Sequence, residues 1–186
     1  MKPLFRLFLA AALCLAIQAP SGSMAADYWL QLQGDAGRSG NAPGQSLADS
    51  MGLIQAIPHG DAIFTSPVVG LGKVFTVDGS GEVRALDQQT LEVAWQFTTR
   101  GGTGNCNNVA SPALVGKYLH LGTMAGYYYV LDAESGRLVK ELDWGEPVFS
   151  APAVGNGRAY CATLGARVHA LEPAGEVVWT WDFVEE

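Results

Sequence analysis

The feature that most constrains this chain is a repeat. Ser66-Pro67, Ser111-Pro112 and Ala151-Pro152 each stand ahead of an apolar run that ends in an acid: Leu86-Asp87, Leu131-Asp132 and Leu171-Glu172. The acid lies 21 residues after the first anchor residue in all three cases, and the unit recurs after 45 residues and then after 40. A period of that size is the mark of a repeat architecture, in which no unit buries its apolar surface alone and neighbours must stack.

Within a unit the pattern is that of short strands. The first copy, SPVVGLGKVFTVDGSGEVRALD, has an extended Ser-Pro-Val-Val, a Gly-Leu-Gly break, a run from Val74 to Val77, a Gly79-Ser80-Gly81 turn and a run from Glu82 to Leu86. β-branched and aromatic residues fill the runs between glycines, and no helical period appears in any copy. A fourth strand over Glu92 to Thr98 completes the unit. Four short strands in about 40 to 45 residues is the size of one propeller blade.

The acid and the tryptophan of ALDQQTLEVAW fit that scheme. Asp87 ends the third strand, where its carboxylate can accept from amides of the coming turn, and Thr90 can do the same from the far side. Trp95, eight residues on, sits on the outer strand and can wedge against the next blade. The pattern Ala-x-Asp-x-x-Thr-Gly-Lys-x-x-Trp, seen here at Ala85, Asp87, Thr90 and Trp95, resembles the tryptophan-docking motif of the quinoprotein-like, or pyrroloquinoline quinone (PQQ)-like, β-propellers. Leu91 and Glu92 depart from it, standing where that family usually has Gly and Lys. The second copy keeps Asp132, Ser135, Gly136 and Arg137 but has Lys140 for the tryptophan. The third keeps Ala170, Gly175 and Trp179, with Glu172 for the aspartate and one residue deleted.

The resemblance implies an all-β chain of about three four-stranded antiparallel blades over residues 53–186, with repeats at about 64–108, 109–149 and 150–186. Since GDAIFTSPVV and GEPVFSAPAV match in character, MGLIQAI is expected to be an orphan outer strand ahead of the first blade. Propellers generally close with four to eight blades. Three therefore suggest either a segment of a larger ring or a ring completed by several chains.

Residues 1–25 read as a signal peptide, with Lys2 and Arg6 before the apolar Leu7 to Ile17 and small residues at Ser23 and Ala25. That apolar run is shorter than the roughly 20 residues a membrane span needs. Export to the periplasm or outside the cell is expected, with no stable membrane span once the signal is removed. Residues 26–52 form a lead-in. Eleven Lys and Arg against eighteen Asp and Glu argue against a nucleic-acid footprint, which needs a basic patch.

Candidate chemistry is sparse. Cys106 and Cys161 are the pair open to a disulfide, or to separate roles as small buried residues. The loop TTRGGTGNCNN carries a five-residue insertion relative to the next copy. There Asn105, Asn107 and Asn108 offer oxygens to a hard cation and Arg100 offers charge to an anion, but a glycine-rich surface connector is the plainer reading. His59, His120 and His169 are not at metal-ligand spacing, and neither a catalytic residue nor a metal set is assigned. Tyr127, Tyr128 and Tyr129 alternate along one strand and should fill both inter-blade seams.

The expected function is that of a non-catalytic, exported binding or assembly module whose partners are proteins or further blades. The alternative is the N-terminal part of a PQQ-dependent quinoprotein dehydrogenase, and only there are PQQ and calcium implied. The adjacent cysteines typical of such alcohol dehydrogenases do not occur here. A broken reading frame without activity is the third reading.

Overall fold

The computed structural model describes residues 28–42, 52–101 and 107–184. The expected signal peptide, Asn105 and Cys106 lie outside them. Among the described residues twelve strands form three four-stranded antiparallel sheets, and there is no helix. The first blade is β1 (Val68–Gly70), β2 (Lys73–Val77), β3 (Glu82–Asp87) and β4 (Val93–Thr98). The second is β5 (Ala113–Val115), β6 (Tyr118–Gly122), β7 (Tyr127–Asp132) and β8 (Leu138–Asp143). The third is β9 (Ala153–Gly155), β10 (Arg158–Ala162), β11 (Arg167–Leu171) and β12 (Val177–Asp182). Strands follow in sequence order across each sheet, as in the blades of a propeller.

Turn chemistry explains why the blades are so compact. Asn156 and Gly157, both with positive φ (50° and 74°), link Gly155 to Arg158 as a two-residue hairpin. Asn-Gly suits this turn, because its twist matches that of the flanking strands. Between the third and fourth strands each blade has a register shift at the same place: Ala85/Leu86, Val130/Leu131 and Ala170/Leu171. Such a bulge raises the local twist. It leaves Trp95, Lys140 and Trp179 in equivalent positions, opposite Ala85, Val130 and Ala170.

The turn after that bulge is closed by the acid. Asp87 Oδ1 accepts from the amides of Gln89 (2.9 Å) and Thr90 (2.8 Å), and Asp132 Oδ1 accepts from the amide of Ser135 (2.9 Å) and its hydroxyl (2.7 Å). Leu91 occupies the left-handed position, φ 59°, that Gly136 (71°) and Gly175 (93°) take in the other blades. A β-carbon there is strained by about 1 kcal/mol. Leu91→Gly is expected to raise stability by about that amount, read as a higher urea midpoint at unchanged slope.

Two cores lie between the blades. Val68, Phe75, Val77, Val83 and Ala85 pack with Leu114, Leu119, Leu121, Tyr129, Leu131 and Ala133 in the first seam. Val115, Tyr128 and Val130 pack with Val148, Ala159, Cys161 and Leu171 in the second. The three tyrosines divide by strand alternation, Tyr127 and Tyr129 toward the first seam and Tyr128 toward the second.

One feature differs from expectation. The orphan outer strand is not formed: the described part of MGLIQAI, from Gly52 on, has no strand pairing and is mostly exposed. An outer strand needs an inner strand to bond to, and among the described residues none is beside it. The lead-in, in contrast, is tied down across all three blades. Trp29 pairs with Val69 of β1 (2.8 and 2.9 Å), the Leu30 carbonyl accepts from Leu114 N of β5 (2.7 Å), and the Gln31 side chain bonds both N and O of Val154 in β9 (2.8 and 3.2 Å). Three consecutive residues thus satisfy backbone groups on the inner edges of three blades, edges that would otherwise be open.

Candidate functional site

The blades dock through cores built on their inner strands, with outer-strand side chains packed at the margin, and the functional surfaces are the two seams and the face left over. In the first seam the Trp95 indole Nε1 donates to Ala133 O across the blade boundary (3.0 Å). Its ring lies against Gly136, where an added Cβ would fall 2.6 Å from the indole, and packs beside Phe75 at a centroid distance of 5.8 Å. Glycine is needed there twice over, for its positive φ and for this close approach.

The second seam is built differently. Lys140 holds the tryptophan's position, and its Cβ and Cγ lie over Gly175, 3.0 and 3.1 Å from where a Cβ would stand. The aliphatic stem covers the glycine. The hydrogen bond passes to another residue: His120 Nε2 meets Pro173 O at 2.9 Å. Pro173 is the counterpart of Ala133, and His120 that of Phe75. The same carbonyl is satisfied in both seams, by the outer strand in one and by the second strand in the other. That bond puts the His120 proton on Nε2 and leaves Nδ1 to accept from the Tyr128 hydroxyl (3.2 Å).

Burial pushes the His120 imidazole down to about 4, and burial likewise lowers His169, which stacks on Trp144 at 4.0 Å. An unfolded histidine titrates near 6.5. Between those values the unfolded chain takes up a proton that the folded chain refuses, so stability falls as the pH drops from about 6.5 to about 4. Urea midpoints measured from pH 7 to pH 4 should show that decline. His120→Phe, which installs the first blade's residue, should reduce the slope.

On the third blade the docking surface has nothing against it among the described residues. Trp179 is 42% exposed, Trp181 48% and Phe183 64%, and Val177, in phase with both tryptophans along the strand, is exposed beside them. Trp179 packs beside Tyr160 at 6.1 Å, as Trp95 does beside Phe75. Exposed aromatic rings grouped in this way, Trp179 beside Tyr160 and Trp181 beside Phe183, mark an interaction surface.

The remaining sequence candidates have local roles. Asn107 Nδ2 donates to Arg100 O (2.6 Å), and Asn107 Oδ1 accepts from Ala125 N (3.2 Å). Asn108 accepts from the Thr99 hydroxyl (3.0 Å) and donates to Gly122 O (3.2 Å). These two amides are buried and bonded to the chain rather than turned out as ligands. Arg100 pairs with Glu141 (3.2 Å) and lies over the Tyr127 ring. Cys161 is a buried free thiol pushed up to about 12 by burial, which makes it a poor nucleophile.

The described residues do not fit a quinone cofactor bearing carboxylates, which needs cations converging on one slot. Lys73, Arg84, Arg100, Arg158 and Arg167 are each paired with carboxylates at separate places, and residues 29–31 occupy the inner edges of the blades. One group missed by sequence reasoning has metal-ligand chemistry. His59, Asp78 and Glu82 each present a ligand atom, all within 4.8 Å of one another. His59 lies on the segment before the first blade and the acids flank the β2–β3 turn, so no motif spacing links them.

A family model described as outer membrane protein assembly factor BamB matches residues 55–147 and 125–186. The outer membrane protein assembly factor BamB of Legionella pneumophila (strain Paris) is 23% identical over 110 residues, covering 59% of this chain and 28% of that protein. Among solved structures, BamB from Moraxella catarrhalis matches with a TM-score of 0.55 at 16% identity, covering 64% of this chain and 35% of that one. A europium-containing methanol dehydrogenase matches at 0.68 and 18%, covering 83% and 31%. The quinohemoprotein alcohol dehydrogenase from Comamonas testosteroni matches at 0.65 and 18%, covering 87% and 28%. The structural likenesses are likenesses of fold, and the chain spans roughly a third of the proteins it resembles.

Proposed function

This chain belongs to the family described as outer membrane protein assembly factor BamB, and from that premise we propose that it is an exported, non-catalytic propeller segment acting as an assembly module. Its third blade is the working surface, and further blades, from a second copy or from a longer protein, are what that surface takes. The observation that carries this reading is Trp179. It holds the register position of Trp95, yet it is half exposed where Trp95 is docked on the next blade. The name of the matched family and the two BamB relatives agree with a role among proteins of the envelope.

The quinoprotein dehydrogenase alternative is supported by likeness of fold, and the described side chains do not build its cofactor cradle. The discriminating experiment is a dye-reduction assay on the purified protein supplied with PQQ and calcium. No oxidation of alcohols or sugars is expected, whereas cofactor-dependent turnover would replace the assembly role with an enzymatic one.

A further inference from the structure

The corner formed by His59, Asp78 and Glu82 is built unlike its counterparts in the other two blades. The residues equivalent to Asp78 are Thr123 and Thr163. The Thr123 hydroxyl is spent on the backbone of Tyr127, and that of Thr163 on the Glu146 carboxylate. The turn therefore does not require a carboxylate. In the first blade the Asp78 side chain is wholly buried, and the His59 side chain beside it is 5% exposed. Asp78 Oδ1 is fully used, accepting from Ser80 N (3.1 Å), the Ser80 hydroxyl (2.7 Å) and Glu82 N (3.0 Å). Asp78 Oδ2 and His59 Nδ1 have no hydrogen-bond partner among the described residues, and they face each other at 3.8 Å.

That separation is too long for a hydrogen bond. It is close to the span of two ligands on one ion, given metal–nitrogen and metal–oxygen distances of about 2.0 to 2.2 Å. An unsatisfied buried polar atom costs about 1 to 3 kcal/mol, and two of them face each other here. We propose that His59 Nδ1, Asp78 Oδ2 and a Glu82 oxygen bind a zinc-type dication.

The surroundings are arranged for it. His59 Nε2 lies 3.2 Å from the Thr76 hydroxyl, a contact that can hold the proton on Nε2 and leave the Nδ1 lone pair free for the ion. The three donors on Oδ1 fix the Asp78 carboxylate, leaving Oδ2 aimed at the imidazole. Glu82 is held by Arg84 (2.8 and 2.9 Å) and would turn part of its carboxylate to the ion, while Arg84 keeps its bond to Pro58 O (2.7 Å). One imidazole and two carboxylates, with water in the fourth place, suit zinc. Calcium and magnesium call for six or more oxygens. Two carboxylates match the charge of the dication, and Arg84, paired with Glu82, leaves the filled corner with one net positive charge at its partly exposed rim. A bound ion would clip the segment before the first blade to the β2–β3 turn.

The test is titration of the purified, metal-stripped protein with zinc by calorimetry, with Co2+ as an optical probe of tetrahedral geometry. One ion per chain is expected. His59→Gln and Asp78→Asn should each weaken binding by roughly 100-fold or more, while Cys106→Ser, Cys161→Ser and His169→Gln leave it unchanged. Zinc should also slow proteolytic cleavage within residues 52–59 of the wild type but not of His59→Gln. Because His59→Gln removes no buried apolar group, its fold can be checked by an unchanged urea midpoint without metal. Absence of binding to the wild type would overturn the proposal, and so would binding that survives both ligand substitutions.

Discussion

Trp95→Ala is expected to lower the unfolding free energy by about 3 kcal/mol, the lower end of the range for truncating a large aromatic in a core. The lower end applies because the ring is only partly buried. Three contributions disappear together: the indole's cover over Gly136, its contact with Phe75 and its bond to Ala133 O. The Ala133 carbonyl would then lack the donor that crosses the seam. The loss should appear as a lower urea midpoint, with near-native strand signal in mild conditions. An unchanged midpoint would mean that the first seam is held by its aliphatic core alone, by Val77, Leu114, Leu121 and their neighbours.

Gly136→Ala should be comparably damaging, by about 3 kcal/mol, for a different reason. The residue has φ 71°, where a β-carbon is strained by about 1 to 2 kcal/mol. The new methyl would also meet the Trp95 ring at 2.6 Å, and overpacking of this kind costs about 1 to 3 kcal/mol. These two sources can be separated. In a Trp95→Ala background the overlap vanishes, so Gly136→Ala should then cost only the backbone strain, about 1 kcal/mol. A double-mutant cycle therefore has a definite sign: the double variant is less destabilised than the sum of the singles. Simple additivity would mean that Trp95 and Gly136 do not touch in solution.

Much of the fold could be read from the sequence because a repeat repeats its errors as well as its rules. A constant distance of 21 residues from Ser-Pro or Ala-Pro to the acid set the phase of the first three strands of each blade, and the outer strand follows the acid by the docking motif. Local chemistry then placed the turns, since an aspartate at a strand end has few other uses. What could not be read was compensation between positions. Lys140 looked like a lost docking residue, and His120 like a histidine without ligand spacing to any other. Only their juxtaposition shows one covering Gly175 and the other reaching Pro173 O. The lead-in was legible as a segment but not as a strap, because one residue per blade leaves no periodic trace. MGLIQAI had the composition of a strand without a partner, and pairing decides strand formation more than propensity does. His59 was set aside for want of ligand spacing, and Asp78 was not linked to it, because a loop, not a motif, brings them together.

The most direct test of the assembly role is the solution mass of the purified protein, by light scattering after gel filtration over a range of concentrations. With no other blades available, the uncovered third-blade face should take a second copy. The wild type is therefore expected to run as a defined oligomer, such as a dimer that pools six blades, and Trp179→Glu with Trp181→Glu should run as a folded monomer. A wild type that stays monomeric at every concentration, indistinguishable from that variant, would contradict the assignment of this face as a docking surface.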